Sequence, residues 1–323
     1  MKKFLFATVA LAAASAALAQ QYPSKPVTII VPFSAGGPTD KVARDLAEAL
    51  RGPLKSTIVI ENVAGAGGTL GAAKVAKAAP DGHTLLLHHI GMATSPALYR
   101  NLTFKPVEDF EYLGLVNEVP MTIVGKPGLP ANNWAELQKW LQANQGKVNL
   151  AHAGLGAASH LCGLLFQQSL KMEMTTVPYK GTGPAMTDLM GGQVDLMCDQ
   201  TTNTSAQIAS GKVKAYAVTT LKPLATPALS KLPTLDASGL KGFNVTIWHG
   251  LYAPKGTPKA VVDQVNAALK TALKDPGFIK REEELGAVVT ADARVNPAEH
   301  KKFVEGEIAK WTPVIKAAGQ YAD

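Results

Sequence analysis

The strongest constraint on the fold is a pattern that occurs twice: an apolar strand, a turn of small residues, and the start of a helix. In the first copy, Val27-Thr-Ile-Ile-Val31 is the β-branched run of a buried strand. The turn Pro32-Phe33-Ser34-Ala35-Gly36-Gly37 follows. Pro38-Thr39-Asp40 then leads into Lys41–Leu50, where Val42, Leu46 and Leu50 recur at helical spacing. Gly36 and Gly37 permit a tight turn, and Pro38 suits a first helical position. In the second copy, Val148–His152 reads as a strand and Ala153–Ala158, with Gly154 and Gly156, as the turn. Ser159–Phe166 is the helix, with Ser159 as its cap. Such a junction aims unpaired backbone N–H groups and a positive dipole end at one point, which is an anion site made of backbone. Two copies half a chain apart imply two α/β lobes presenting amides to one anion.

Composition decides what surrounds that pattern. The 323 residues are 46% hydrophobic and 18% charged, enough for one large or two medium domains with real cores. Lys2 and Lys3, the apolar stretch Phe4 to Ala16, and Ala17-Leu18-Ala19 form a secretory leader cleaved after Ala19, with the periplasm as destination. The formal charge is +7, and losing Lys2 and Lys3 leaves 30 basic residues against 25 acidic, or +5. These charges are dispersed, without the basic runs of nucleic-acid binders, so no nucleic-acid partner is expected. Cys162 and Cys198 could pair in an oxidising compartment, but their apolar contexts favour two buried free thiols.

Along the chain, strands at 57–61 and 84–89 alternate with helices. Strands at 109–117 and 121–125 lead out of the first lobe, and Val245–Ala253 returns to it. A Pro96-led helical turn follows the third strand, and Asn132 or Asn133 caps a helix over 133–141. In the second half, strands are expected at 175–178, 194–198 and 215–220, with a helix at 183–190, an irregular stretch from Leu221 to Leu240, and three helical segments after Pro258. The expected architecture is two-lobed α/β, each lobe a mostly parallel sheet flanked by helices, joined by two crossing strands. Lobe 1 takes residues 20–122 and 247–323, and lobe 2 takes 123–246. A monomer is expected.

Catalytic and cofactor motifs fail on inspection. Gly65-Ala-Gly-Gly-Thr-Leu-Gly71 nearly matches a dinucleotide fingerprint, but its third glycine falls one residue late and no acidic residue follows in the required place. No phosphate-loop, zinc-protease or nucleophile-elbow sequence occurs, so neither cofactor nor metal is expected. His88 and His89 end a strand, where open α/β sheets bind ligands. Adjacent strand residues point to opposite faces, so one can face the cleft and a two-histidine metal pair is disfavoured. Ser159 and His160 are helical neighbours that diverge, not a catalytic dyad. Asp199 could meet a ligand or hold a loop amide, the loop role being favoured. Trp248 and His249 either pack at the hinge or line the cleft.

The run Tyr22-Pro-Ser-Lys-Pro-Val-Thr-Ile-Ile-Val-Pro-Phe-Ser-Ala-Gly-Gly-Pro-Thr-Asp40 strongly resembles the periplasmic receptors of tripartite tricarboxylate transporters, the Bug or TctC family. So do Glu61-Asn62 with Gly65–Gly68, Pro80-Asp-Gly82, Pro96–Tyr99, Gly154 and Gly156 with Ser159-His160, Val177–Gly181, Leu189–Val194, and Ala253-Pro254 with Gly256–Pro258. The resemblance spans the mature chain in order. It implies a Venus-flytrap fold that closes on a carboxylated solute and delivers it to membrane permease subunits. It also implies that a ligand carboxylate lies between the loop of Phe33, Ser34, Ala35, Gly36, Gly37, Thr39 and Asp40 and the loop of Gly154, Gly156, Ala157, Ala158, Ser159 and His160. Ala157 and Ala158 depart from the hydroxyl residues common there, which removes side-chain contacts but leaves the backbone site. The His88–Met92 stretch is most similar to members that bind terephthalate, so a dicarboxylate with one end near His88 or His89 is expected. The rival reading is a secreted α/β hydrolase or transferase; the missing nucleophile–base pair separates the two.

Overall fold

The computed structural model describes residues 22–319, 321 and 322, so the leader expected at 1–19 lies outside the described residues. Strands β1 (Val27–Val31), β2 (Ile58–Asn62) and β3 (Thr84–His89) pair in parallel, β1 lying between the other two. Between them run α1 (Pro38–Leu54) and α2 (Thr69–Ala76). Helix α1 buries Val42, Ala43, Leu46, Ala47, Leu50 and Leu54, a single stripe, against Val27, Ile29, Val31, Leu85 and Leu87. The alternate residues Ile30 and Leu86 join the core on the opposite face. Both faces of this sheet are therefore covered, as a parallel sheet requires. Helix α3 (Gly91–Leu98) follows β3 and carries Pro96 inside it, rather than starting at that proline.

One strand, β4 (Phe110–Gly125), replaces the two expected at 109–117 and 121–125. Its first part pairs antiparallel with β9 (Thr246–Pro254), and its last five residues pair antiparallel with β7 (Leu196–Gln200). β4 passes from one lobe to the other while β9 returns beside it, and register shifts at Gly114 and Asn117 bend the pair. The second lobe continues with α4 (Trp134–Ala143), β5 (Asn149–His152), α5 (Ala158–Leu170), β6 (Thr175–Pro178) and α6 (Thr182–Met190). After β7 come α7 (Thr201–Ala209) and β8 (Lys214–Val218). Asn133 caps α4 by accepting the Glu136 amide at 3.0 Å. Helices α8 (Lys259–Ala272), α9 (Pro276–Glu284) and α10 (Pro297–Ala317) complete the chain, with the two-residue strand β10 (Val288–Val289) between the last two.

The main path of the sheet runs β2-β1-β3-β9-β4-β7-β5-β6. Each lobe thus has a parallel trio, and the antiparallel crossing strands fuse them into one curled mixed sheet instead of two separate ones. The expectation of two free thiols is overturned: Cys162 on α5 and Cys198 on β7 form a buried disulfide. Helix α5 packs along β7 and brings the two Cα atoms to 6.0 Å, within bridging range. That juxtaposition is tertiary, and neither local sequence contains it.

Candidate functional site

Four helices begin at one place between the lobes. The segment from β1 into α1 contributes Phe33, Pro38 and Thr39 to a tight cavity of only about 10 Å³ in this closed form, and β3 contributes His89. Across the cleft, the start of α5 supplies Ala153, Ala158 and Ser159, and the start of α6 supplies Thr182. Asp199 and Gln200 come from the end of β7, where α7 begins. The four helices have 17, 13, 9 and 9 residues. Each places first-turn amides without intrahelical partners, and a positive dipole end, at this point. No lysine or arginine lines the cavity, so its attraction for an anion comes from backbone.

The two glycine loops frame the cavity in an unexpected way. The Gly154 amide donates to Nδ1 of His152 at 3.2 Å, and the Gly156 amide donates to Nδ1 of His160 at 3.3 Å. The Gly36 amide donates to Asp40 Oδ2 at 3.0 Å. These loop amides are engaged within the protein and shape the turns, which leaves the helix starts just beyond them as anion donors. Ala157, not Ser159, is the N-cap of α5; the Ser159 hydroxyl instead accepts the Ala153 amide at 2.9 Å. Burial raises the Asp40 pKa, but hydrogen bonds from Arg44, Gly36 and Asn62 overcome that and hold it below the usual carboxylate range. Asp40 therefore fixes the loop, while Ala35 and Gly36 are exposed at its tip.

The paired histidines differ in what they line, although their rings meet edge to face with centroids 5.0 Å apart. His89 lines the cavity and stacks on Phe33 with ring centroids 4.5 Å apart, whereas His88 lies under Gly68, on the side of α2. His89 Nδ1 accepts the Gly91 amide at 2.9 Å, and His88 Nδ1 accepts the His89 amide at 2.8 Å. An amide can only donate, so in each ring the proton sits on Nε2. Burial lowers the His89 pKa to about 3, so its ring is a neutral N–H donor. Burial also lowers His152 to about 4 and keeps its Nδ1 unprotonated for Gly154.

A buried relay, unforeseen from sequence, runs from α9 to the cavity wall. Asn117 Nδ2 donates to Glu282 Oε2 at 2.7 Å, leaving its Oδ1 to accept from His249 Nδ1 at 2.8 Å. His249 Nε2 then faces the Thr39 hydroxyl at 3.3 Å. His249 thus supports the cleft, whereas Trp248 packs on Phe303 and donates to Glu307. Burial raises the Glu282 pKa from 4.5 to about 7, with Asp45 adding to the rise and the Asn117 bond, Lys41 and Arg281 opposing it. The folded protein therefore keeps a proton that the unfolded chain has released between roughly pH 4.5 and 7. The contribution of this group is full below its unfolded pKa and is lost as pH rises through 7. Glu282→Gln keeps the acceptor for Asn117 but cannot ionise. It is expected to be more stable than the parent by about 2 kcal/mol at pH 8, after allowing for its own buried N–H groups, and to lose that advantage below pH 5. Chemical denaturation at the two pH values measures the difference.

The lobes touch along the rest of the seam. Ser34 donates through its amide and its hydroxyl to the Lys180 carbonyl, at 3.2 and 3.1 Å. Thr94 and Tyr99 donate to the Gly156 and Leu155 carbonyls at 2.7 and 2.8 Å. This is a closed cleft. Of the residues singled out by sequence, Phe33, Thr39, His89, Ala158, Ser159 and Asp199 line the cavity. Ser34 and Gly154 lie along an open groove at the seam, and Gly37, Asp40, His88, Gly156, Ala157 and His160 stand behind the walls. Pro38, Ala153, Thr182 and Gln200 line it as well and were not singled out. Among the described residues, no cluster of three or more histidine, cysteine or acidic side chains is placed to hold a metal. No helix among them is long and apolar enough to cross a membrane.

Comparison with known proteins places relatives beside this geometry. The family model of the tripartite tricarboxylate transporter family receptor, TctC, matches residues 42–320. The structure of the periplasmic binding protein BugD superposes with a TM-score of 0.90 at 52% identity, covering 94% of this chain and 100% of that one. MatC from Rhodopseudomonas palustris with bound malate gives 0.86 at 40% identity, covering 91% and 100%. Rpa4515 of R. palustris with adipate gives 0.86 at 32% identity, covering 93% and 99%.

Proposed function

The chain belongs to the tripartite tricarboxylate transporter family of receptors, and from that premise we propose that it captures a small dicarboxylate between its lobes and hands it to the membrane subunits of such a transporter. The observation that carries this reading is the convergence of four helix N-termini from both lobes on one cavity that has no lysine or arginine. One ligand carboxylate sits at the starts of α1 and α5, near Thr39, Ala158 and Ser159. His89 offers its Nε2–H, and Phe33 packs against the carbon chain. The malate and adipate of the two relatives support a dicarboxylate. Terephthalate serves as the aromatic comparison. We assign the lobes to residues 20–122 with 247–323 and to 123–246, and the mature protein to the periplasm after cleavage behind Ala19. Its role is capture without chemistry, as a monomer.

Calorimetry across short dicarboxylates is expected to find micromolar binding, about −8.2 kcal/mol, with the ligand recovered unchanged by mass spectrometry. A carboxylate that bridges both lobes is fully satisfied only in the closed state, so small-angle scattering should show compaction on saturation. His89→Ala removes a cavity donor and should weaken binding about tenfold, whereas His88→Ala should act mainly on thermal stability. Turnover of the ligand, or an unchanged scattering profile with every ligand that binds, would remove the receptor reading.

A further inference from the structure

One carboxylate oxygen in the cavity wall lacks a hydrogen-bond partner of good geometry within the protein. Asp199 is 1% exposed, and its Oδ2 accepts from Asn203 Nδ2 at 2.6 Å. Its Oδ1 is buried and has no hydrogen-bond partner. The Gln200 amide and the Thr182 hydroxyl flank the group closely enough to oppose its raised pKa, but stand outside hydrogen-bond geometry. The other wall is committed differently. There the Ser159 hydroxyl accepts the Ala153 amide and keeps its own O–H to donate, and Thr39 faces His249, so what remains are amides, the Ser159 O–H and the His89 Nε2–H. The cavity is therefore polarised, with donors toward α1 and α5 and a fixed acceptor on β7.

We infer that Asp199 determines specificity by accepting a hydrogen bond from a donor group, an ammonium or a hydroxyl, that the ligand carries beside its carboxylates. This rests on the carboxylate-receptor reading and narrows it. A plain dicarboxylate would leave Oδ1 unpaired and set a second anion against it, with no lysine or arginine in the wall to separate them. Asn203, in the first turn of α7, fixes the carboxylate in place, so it cannot turn away from such a ligand. A donor on the ligand completes Oδ1, and an ammonium also neutralises its charge. Burial raises the Asp199 pKa to about 7, and a cation beside it favours the ionised, accepting form.

Succinate, malate and aspartate share a four-carbon dicarboxylate frame and differ in carrying no donor, a hydroxyl and an ammonium. Titration calorimetry of the intact mature protein should find malate or aspartate binding at least about tenfold tighter than succinate, the size expected for one hydrogen bond to a charged group. Asp199→Asn should weaken the preferred ligand and tighten succinate, narrowing their ratio to within about threefold, as the anionic acceptor is lost. Succinate binding to the parent protein as tightly as the other two would overturn the inference whether or not the variant folds. That result would point to a protonated Asp199 donating to a second carboxylate. An unchanged ratio in Asp199→Asn would overturn it as well. If none of the three binds but terephthalate does, the donor inference falls and the receptor reading stands; if none of the four binds, both fall.

Discussion

Replacing Cys162 and Cys198 together with alanine is expected to lower the unfolding free energy by about 4 kcal/mol and the melting temperature by about 6 °C. The disulfide closes a loop of 36 residues, and its main effect is to restrict the unfolded chain. Chain-entropy arithmetic for a loop of that length gives the figure, with native-state packing adding to it or subtracting from it. Both sulfurs are buried, so the alanine pair also leaves a small cavity beside Phe166 and Leu150 in the shared core. The bond has a functional position too. Cys162 lies one turn beyond the α5 start, and Cys198 immediately precedes Asp199, so the bridge ties the anion end of the cavity to its acceptor end. The double variant should therefore bind ligand more weakly even where it is fully folded. Differential scanning calorimetry with and without reductant on the parent protein, beside the double variant, gives the comparison. Equal melting temperatures for parent and variant would mean the bridge contributes nothing to stability.

How far the sequence disclosed this molecule depended on whether a feature was local. The runs Val27–Val31 and Thr84–His89 carry enough β-branched or apolar residues between turn signals to be read directly, and α1 announces itself through Val42, Leu46 and Leu50. In the sequence Asn117, Glu118 and Pro120 interrupt the apolar run of β4 and divide it into two pieces. In the fold, Asn117 is spent on His249 and Glu282, Glu118 pairs with Arg294, and Pro120 sits where the strand passes between lobes. Those partners come from β9, α9 and the stretch before α10, and no local pattern predicts them. Strand β7 starts two residues later than Val194 because Asp195 is engaged at its mouth, accepting the Asn149 amide and pairing with Lys126.

The site divides in the same way. Glycine turns flagged the loops around Gly36 and Gly154, since only a special backbone needs so many glycines there. They did not say which amides remain free. That was decided by His152, which reads as an unremarkable strand end, and by His160, which the resemblance implies as a ligand-loop residue and which instead accepts the Gly156 amide. Thr182 and Gln200 escaped notice because each is ordinary alone, and their meaning comes from two further helices starting at the same point. A dimension with no sequence signal at all is how closely the lobes approach, and the next experiment measures it.

Gly67→Ala is expected to weaken ligand binding by two to three decades while leaving the protein folded. Gly67 lies in the loop between β2 and α2 with φ of +60°. A Cβ there would stand 1.8 Å from the Leu155 carbonyl oxygen and 2.8 Å from the Tyr99 hydroxyl, both at the seam with the opposite lobe. Neither can yield: the carbonyl is backbone, and Tyr99 is hydrogen-bonded to that same oxygen. A Cβ at Gly154 would meet the Gly67 amide nitrogen at 2.9 Å, so the seam is backbone against backbone from both sides. The added methyl must hold the lobes apart. The apparent Kd is then the intrinsic Kd divided by the small fraction that still closes, and a closure penalty of about 3–4 kcal/mol gives the stated loss. The left-handed backbone adds about 1 kcal/mol of strain, which acts on stability and needs its own control. Gly211→Ala supplies it: φ is +67° there, nothing lies within 4 Å of the added carbon, and the position is remote from the seam. The control should lose the same stability and none of the affinity. Scattering of Gly67→Ala at a ligand concentration that just saturates the parent should keep the open profile. Parent-like affinity in Gly67→Ala would show that the ligand is held without the lobes meeting at Leu155.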